Sequence, residues 1–159
     1  MTTRFTLNGT AVSVDLPGEV SLLHALRGPL GLSGPRYGCG AEQCGTCMVL
    51  VEGTPRYACT LALDAVEGKA VRTVEGLGTP EAPHPLQAAF LAEQAGQCGF
   101  CLPGILVSAA ALLDRDPDPD DAAIRAALDP HLCRCGSHNR IIRAVRRAAR
   151  AMREGRAAA

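Results

Sequence analysis

The sequence predicts an α+β chain of two unlike halves, a small strand-rich first half followed by an all-helical second half. Two observations carry this. Apolar residues recur at a period of two up to about residue 74 and at helical spacing from about residue 85 onward. The cysteines fall into two groups of four, one in each half: Cys39, Cys44, Cys47 and Cys59, then Cys98, Cys101, Cys133 and Cys135. With 159 residues in total, neither half can bury a large core, and units that small commonly depend on a metal, a disulfide or a partner.

In the first half, two alternating runs within 4–16 flank Asn8-Gly9, a strong two-residue hairpin signal. Ser21 is placed to cap a helix whose apolar face is Leu22, Leu23, Leu26 and Leu30, and Gly28, Pro29 and Gly31 end it. Residues 48–52, 56–60 and 70–74 read as further short strands, separated by Gly53-Thr54-Pro55 and by Glu67-Gly68. Hairpin, helix and then more strands is the element order of a β-grasp unit, expected over 1–76.

A stretch dense in Pro and Gly makes 77–84 a linker, and 85–159 a helical unit. Four helices are expected, over 86–94, 102–113, 120–128 and 139–153. The acidic run from Asp114 to Asp121 lies between the second and third, where carboxylates favour a helix N-terminus and a solvated cap is the plain reading. Cys98 and Cys101 precede the second helix, and Cys133 and Cys135 precede the fourth. Two helix N-termini would then face one anionic group, which makes a four-helix bundle with a metal site at one end the economical architecture.

Composition removes several function classes. Basic and acidic residues balance at 16 each, aromatics make up 3% and Trp is absent, so nothing favours nucleic acid. The start lacks the pattern of an export signal, and no apolar stretch approaches the length of a membrane span. A reducing cytoplasmic setting follows, with thiols as metal ligands rather than disulfides; export to the periplasm with a signal-bearing partner is the alternative. Arg140, Arg143, Arg146, Arg147, Arg150, Arg153 and Arg156 give the last helix a basic face, read as solvated or as a docking surface. His24, His84, His131 and His138 stand beside no nucleophile, and no phosphate-binding loop or dinucleotide fingerprint occurs.

The first three cysteines are spaced C-x4-C-x2-C with a fourth further on, the plant-type [2Fe-2S] pattern. Gly38, Gly40 and Gly45 interleave with them, and residues without a Cβ let a loop wrap closely round a cluster with its amides aimed at sulfur. The second group, C-x2-C-x31-C-x-C, has the same ligand count at another spacing. Four thiolates with a CxxC pair also suit tetrahedral zinc, and the residues alone leave that open, more so at the second site than at the first.

Tyr37-Gly38-Cys39-Gly40, Gln43-Cys44-Gly45-Thr46-Cys47, Gln97-Cys98-Gly99-Phe100-Cys101 and Leu132-Cys133-Arg134-Cys135-Gly136 together resemble the small iron-sulfur subunit of the xanthine dehydrogenase family of molybdenum hydroxylases. The resemblance covers roughly residues 3–150 and matches all eight cysteines. It implies a plant ferredoxin-like domain with one [2Fe-2S] cluster on Cys39, Cys44, Cys47 and Cys59, and a helical domain with another on Cys98, Cys101, Cys133 and Cys135. It also implies a large partner subunit carrying molybdopterin cytosine dinucleotide, with Gln97 and Cys135 next to the pterin. Catalysis would occur on that partner and not on this chain. Gly136-Ser137-His138 stands where xanthine- and carbon-monoxide-type members continue Thr-Gly-Tyr, and Thr46 and Met48 replace the more usual Ala and Thr. With Tyr37-Gly38, this resembles the nicotinate and isoquinoline dehydrogenase branch, which implies an N-heteroaromatic or aldehyde substrate and, as acceptor, a cytochrome c domain (haem c) or an FAD subunit. A free soluble two-cluster ferredoxin is the alternative of another class.

Overall fold

The computed structural model describes residues 1–157. Its elements in chain order are β1 (Thr2–Leu7), β2 (Thr10–Asp15), α1 (Leu22–Arg27), β3 (Met48–Val51), β4 (Thr54–Tyr57), β5 (Ala70–Arg72), α2 (Pro85–Ala92), α3 (Leu102–Arg115), α4 (Asp121–Leu128) and α5 (His138–Ala157). Residues 77–84 contain no helix or strand, and the last two residues of the expected helical unit, 158 and 159, lie outside the described residues.

The strands form one mixed sheet in the order β2-β1-β5-β3-β4, in which β1 and β5 run parallel and the other neighbours antiparallel. Asn8 (φ 50°) and Gly9 (φ 84°) make the expected two-residue turn, with Leu7 opposite Thr10. The second hairpin corrects the expected strand limits. Its turn is Glu52 (φ 51°) and Gly53 (φ 74°), so Thr54 and Pro55 belong to β4, and residues 58–60 lie outside any strand. Pro55 is tolerated because β4 is the sheet edge, where a missing N–H leaves no ladder bond unmade on the open side. β5 ends at Arg72 and a 3-10 turn, Val74–Gly76, replaces the expected strand end. A second 3-10 turn, Leu63–Val66, had no periodicity to announce it, yet it buries Leu63 and Val66 completely.

Ser21 caps α1 as expected, its Oγ accepting from His24 N at 3.3 Å. The α1 face of Leu22, Leu23, Ala25 and Leu26 packs with Phe5, Val49, Leu63, Val66 and Val71 into the first core. The helical half has its own core of Leu86, Ile105, Leu113, Ile124, Ile141 and Val145, among others. A third, small cluster joins them: Met48 and Leu50 of β3 meet Val107 and Ala111 of α3. This explains why α3 reads as apolar all round. It is covered by helices on one side and by the sheet on the other.

The chain just before residues 77–84 is fastened to the first half. Asn8 Nδ2 donates to Thr73 Oγ1 at 3.0 Å and Thr73 N donates to Asn8 Oδ1 at 2.8 Å. Thr73 Oγ1 donates to Glu75 Oε2 at 2.6 Å, and the other oxygen of Glu75 accepts from Gly34 N at 2.6 Å. On α5, Arg143 and Arg147 pair with Glu93, Arg146 with Asp121 and Arg153 with Asp118. Most of the basic face therefore secures α5 to the end of α2 and to the loop and first turn of α4. Such exposed pairs contribute little each and chiefly fix relative position.

Candidate metal centres

Cys39, Cys44 and Cys47 lie on the loop between α1 and β3, and Cys59 lies just after β4. A Cβ on Gly38 would sit 2.8 Å from Cys44 Sγ and 2.9 Å from Thr46 Cγ2, so only glycine allows the loop to close at that point. The amides of Ala41 and Gln43 donate to Cys39 Sγ at 3.4 and 3.2 Å. These bonds hold the exposed Cys39 thiol down at about 7. Cys47 has the opposite environment: burial pushes it up to about 12. Within the site, Cys39 faces Cys44, and Cys47 faces Cys59.

The second site repeats this plan. Cys101 directly precedes α3, while Cys133 and Cys135 lie on the turn that leads into α5. Cys135 Sγ and Cys98 Sγ are 3.5 Å apart, and Cys101 faces Cys133. Burial pushes Cys101 up to about 12, and a hydrogen bond from Phe100 N–H brings the exposed Cys98 below its ordinary range. At Cys133, burial acts upward but is more than offset. The backbone N–H of Ser137, the thiol of Cys101 and the amide of Cys135 all donate to its sulfur, which leaves it lowered.

The donors therefore meet in twos, two pairs in each site. Among the described residues no three His, Cys, Asp or Glu side chains gather about a single point. Two thiolates per iron is the donor arrangement of a [2Fe-2S] cluster, and the residues fit that group better than a lone tetrahedral ion. Each site also contains one buried thiol that would ionise only with a cation beside it. Backbone donors aimed at the other sulfurs are the surroundings an anionic cluster requires.

Direct contacts join the two sites. Leu132 N donates to the carbonyl of Cys44 at 3.1 Å, and Thr46 Oγ1 donates to the carbonyl of Phe100 at 3.0 Å. Arg36 Nη1 donates to Gly99 O at 2.7 Å while its guanidinium lies 5.3 Å from the Phe100 ring centre. A Cβ on Gly104 would collide with the carbonyl oxygen of Gly45. His131, 3% exposed, packs against Gly45 with its Nε2 2.7 Å from Ser108 Oγ, and burial pushes it down to about 4, so the ring is neutral.

Gln97 is exposed and its amide donates to Cys135 O at 3.4 Å, which places the two residues together. With Phe90, Leu91, Leu102, Leu106 and Arg140 it lines an open recess of about 590 Å³. Arg36, His131 and Ser137 were not legible as site residues. Their partners lie far along the chain or on a turn whose geometry no periodicity reveals, and Thr46 stood out only as a substitution. Among the described residues no helix is long and apolar enough to cross a membrane.

Comparison with known proteins agrees with this layout. Residues 5–74 match the family model of a 2Fe-2S iron-sulfur cluster binding domain, and residues 73–146 match that of a [2Fe-2S] binding domain. The chain is 48% identical to a nicotinate dehydrogenase subunit of Pseudomonas putida, over 93% of this chain and 94% of that one. It is 46% identical to the alpha subunit of isoquinoline 1-oxidoreductase of Brevundimonas diminuta, over 92% and 96%. Among solved structures, quinoline 2-oxidoreductase from Pseudomonas putida 86 superposes with a TM-score of 0.92 at 35% identity, covering 98% of this chain and 97% of that one.

Proposed function

The chain belongs to the small [2Fe-2S] iron-sulfur subunits of the xanthine dehydrogenase family of molybdenum hydroxylases, and on that premise we propose that it is the electron-transfer subunit of a complex that oxidises an N-heteroaromatic compound or an aldehyde. Cys39, Cys44, Cys47 and Cys59 hold one cluster on a β-grasp, plant-type ferredoxin-like domain, residues 1–76. Cys98, Cys101, Cys133 and Cys135 hold the other on a four-helix bundle, residues 85–159, beyond the linker 77–84. When bound, the two clusters supply one-electron carriers between the large subunit's molybdopterin cytosine dinucleotide and a cytochrome c or FAD acceptor on another partner.

The chain's own residues position and tune. Gln97 gives one amide hydrogen to Cys135 O, which keeps the amide beside the second site and leaves one donor and one acceptor group for the pterin edge. The amides of Ala41 and Gln43 offset negative charge at the first site, as the donors on Cys133 do at the second. Leu132, Thr46 and Arg36 hold the two loops together so that a single electron has a short way to go. Substrate chemistry takes place on the large subunit, and the complex works in the cytoplasm unless a signal-bearing partner exports it.

The observation that carries this reading is the pair of adjoining four-thiol sites, each with its donors in twos. Its test is the purified native complex, with iron, sulfide, molybdenum, flavin and haem measured per copy of this chain. Four irons with molybdenum and haem but no flavin support the cytochrome-linked form, and flavin without haem the FAD-linked one. Four irons on a free monomer without molybdenum turn the reading to a soluble carrier. Zinc in place of iron refutes it.

A further inference from the structure

Arg36 belongs to the loop of the first site, just ahead of Cys39, and its backbone N–H donates to the Thr46 carbonyl of the same loop at 3.2 Å. Its side chain leaves that loop. Nη1 donates to Gly99 O at 2.7 Å and the guanidinium lies 5.3 Å from the centre of the Phe100 ring, so both contacts fall on the two residues between Cys98 and Cys101. A carbonyl at one edge and an aromatic ring beside it fix where the charge sits. Among the described residues no carboxylate pairs with it. Arginine stays protonated at any working pH, so the joint between the two sites contains a fixed cation with no counter-charge. Fastening alone does not call for one: the Phe100 carbonyl is held across the same joint by a neutral donor, Thr46 Oγ1 at 3.0 Å. Arg134, between Cys133 and Cys135, is exposed and has no side-chain hydrogen bond or ion pair among the described residues, so its charge is not held in place.

We propose that Arg36 is a tuning residue for electron transfer, its guanidinium charge raising the reduction potential of the cluster held by Cys98, Cys101, Cys133 and Cys135 more than that of the first-site cluster. The inference rests on the cluster assignment of the preceding section. Reduction adds one negative charge to a cluster and its ligands, so a fixed cation beside a ligand loop stabilises the reduced state more than the oxidised one. The backbone of Arg36 lies on the first-site loop, but its charge is delivered to the turn between Cys98 and Cys101, which gives the second site the larger share. The guanidinium is half-buried, so water and salt screen it, and the effect is that of a partly exposed charge pair. A higher potential there makes the second cluster the better acceptor for electrons leaving the large subunit.

The experiment is an EPR-monitored redox titration of the intact complex at low ionic strength, comparing wild type, Arg36→Gln and Arg36→Lys, with iron counted in each. Cys98→Ser, which alters the second-site signal, assigns the two signals. In Arg36→Gln the second-site midpoint falls further than the first-site midpoint, whereas Arg36→Lys, which keeps the charge, stays near wild type. The expected size is about a fivefold drop in the ratio of reduced to oxidised second-site cluster at fixed ambient potential, or about 41 mV for a one-electron couple. Full iron with an unmoved second-site midpoint in Arg36→Gln overturns the inference and leaves the cluster assignment standing. So does an equal fall at both sites, or an equal fall in the Gln and Lys variants, the latter assigning Arg36 to fastening alone. A wild type without iron overturns the assignment itself. Should Arg36→Gln fail to hold iron, Arg36→Lys decides: full iron with a wild-type midpoint supports the role of the charge, and a lowered midpoint, or loss of iron there too, assigns Arg36 a purely structural role.

Discussion

Leu132 and Cys44 share a backbone hydrogen bond of 3.1 Å, so the residue immediately before the candidate ligand Cys133 is fastened to another candidate ligand in the opposite half of the chain. One amide and one carbonyl thus separate the covalent frameworks of the two sites. The contact survives only while α3 lies close against the first loop, because Gly104, in its first turn, rests on the carbonyl of Gly45.

Gly104→Ala should therefore loosen the joint. Alanine would gain about 1 kcal/mol from helix propensity, but its Cβ meets backbone and cannot be accommodated by a rotamer change. Overpacking of this kind costs roughly 1–3 kcal/mol, so the clash outweighs the gain. Denaturant midpoints of the cluster-loaded chain should fall, and the magnetic interaction between the two reduced clusters should weaken in EPR. A more stable variant with unchanged interaction would contradict the packing argument.

Asn8→Ala addresses the other fastening. Asn8 has φ 50°, which Asn tolerates better than Ala, and its amide makes both hydrogen bonds to Thr73, a residue with no exposure. Alanine would leave the buried Thr73 N–H unpaired, a cost of about 1–3 kcal/mol, with backbone strain added. Equilibrium unfolding is the measurement, and a loss below about 0.5 kcal/mol would show that the clasp is dispensable.

The same residue shows what was legible in the sequence and what was not. Asn8-Gly9 announced a turn because its backbone demand is local, and the cysteine spacing announced two four-thiol groups for the same reason. The second role of Asn8, holding Thr73, depends on a residue 65 positions away and leaves no local trace. Gly53-Thr54-Pro55 misplaced a strand start because proline argues against a strand wherever it is not known to be an edge, and edge position is a property of the whole sheet. The cross-site contacts of Arg36, Thr46 and His131 belong to this second kind.

His84 should give the helical half a pH dependence that can be isolated. Its Nδ1 accepts from Leu86 N at 3.2 Å at the start of α2, and burial, helped by the charge of Arg72, lowers its pKa from the usual 6.5. The folded chain therefore keeps the ring neutral while the unfolded chain binds a proton at about pH 6.5. The capping contribution is fully present above pH 6.5 and is lost as pH falls from there through the lower folded value. His84→Asn, which keeps an acceptor at the cap and does not titrate, should flatten the part of the stability profile that falls away below about pH 6.5. An unchanged slope would assign the dependence to other groups.

Gln97→Ala separates positioning at the partner's pterin from support of the second site. The side chain is exposed and its one bond, to Cys135 O, is long at 3.4 Å, so its loss should leave iron content and unfolding midpoint within about 0.5 kcal/mol of wild type. If the amide meets the pterin, the variant loses a contact worth about 1 kcal/mol, and reduction of the clusters by substrate in the assembled complex should slow roughly fivefold. Dithionite, which reduces the clusters without the large subunit's active site, should act on the variant at the wild-type rate. A wild-type rate with substrate as well would place the pterin contact elsewhere. Slow reduction by both reagents would instead mean that Gln97 acts through Cys135 on the cluster, because only a defect on this chain is common to the two routes.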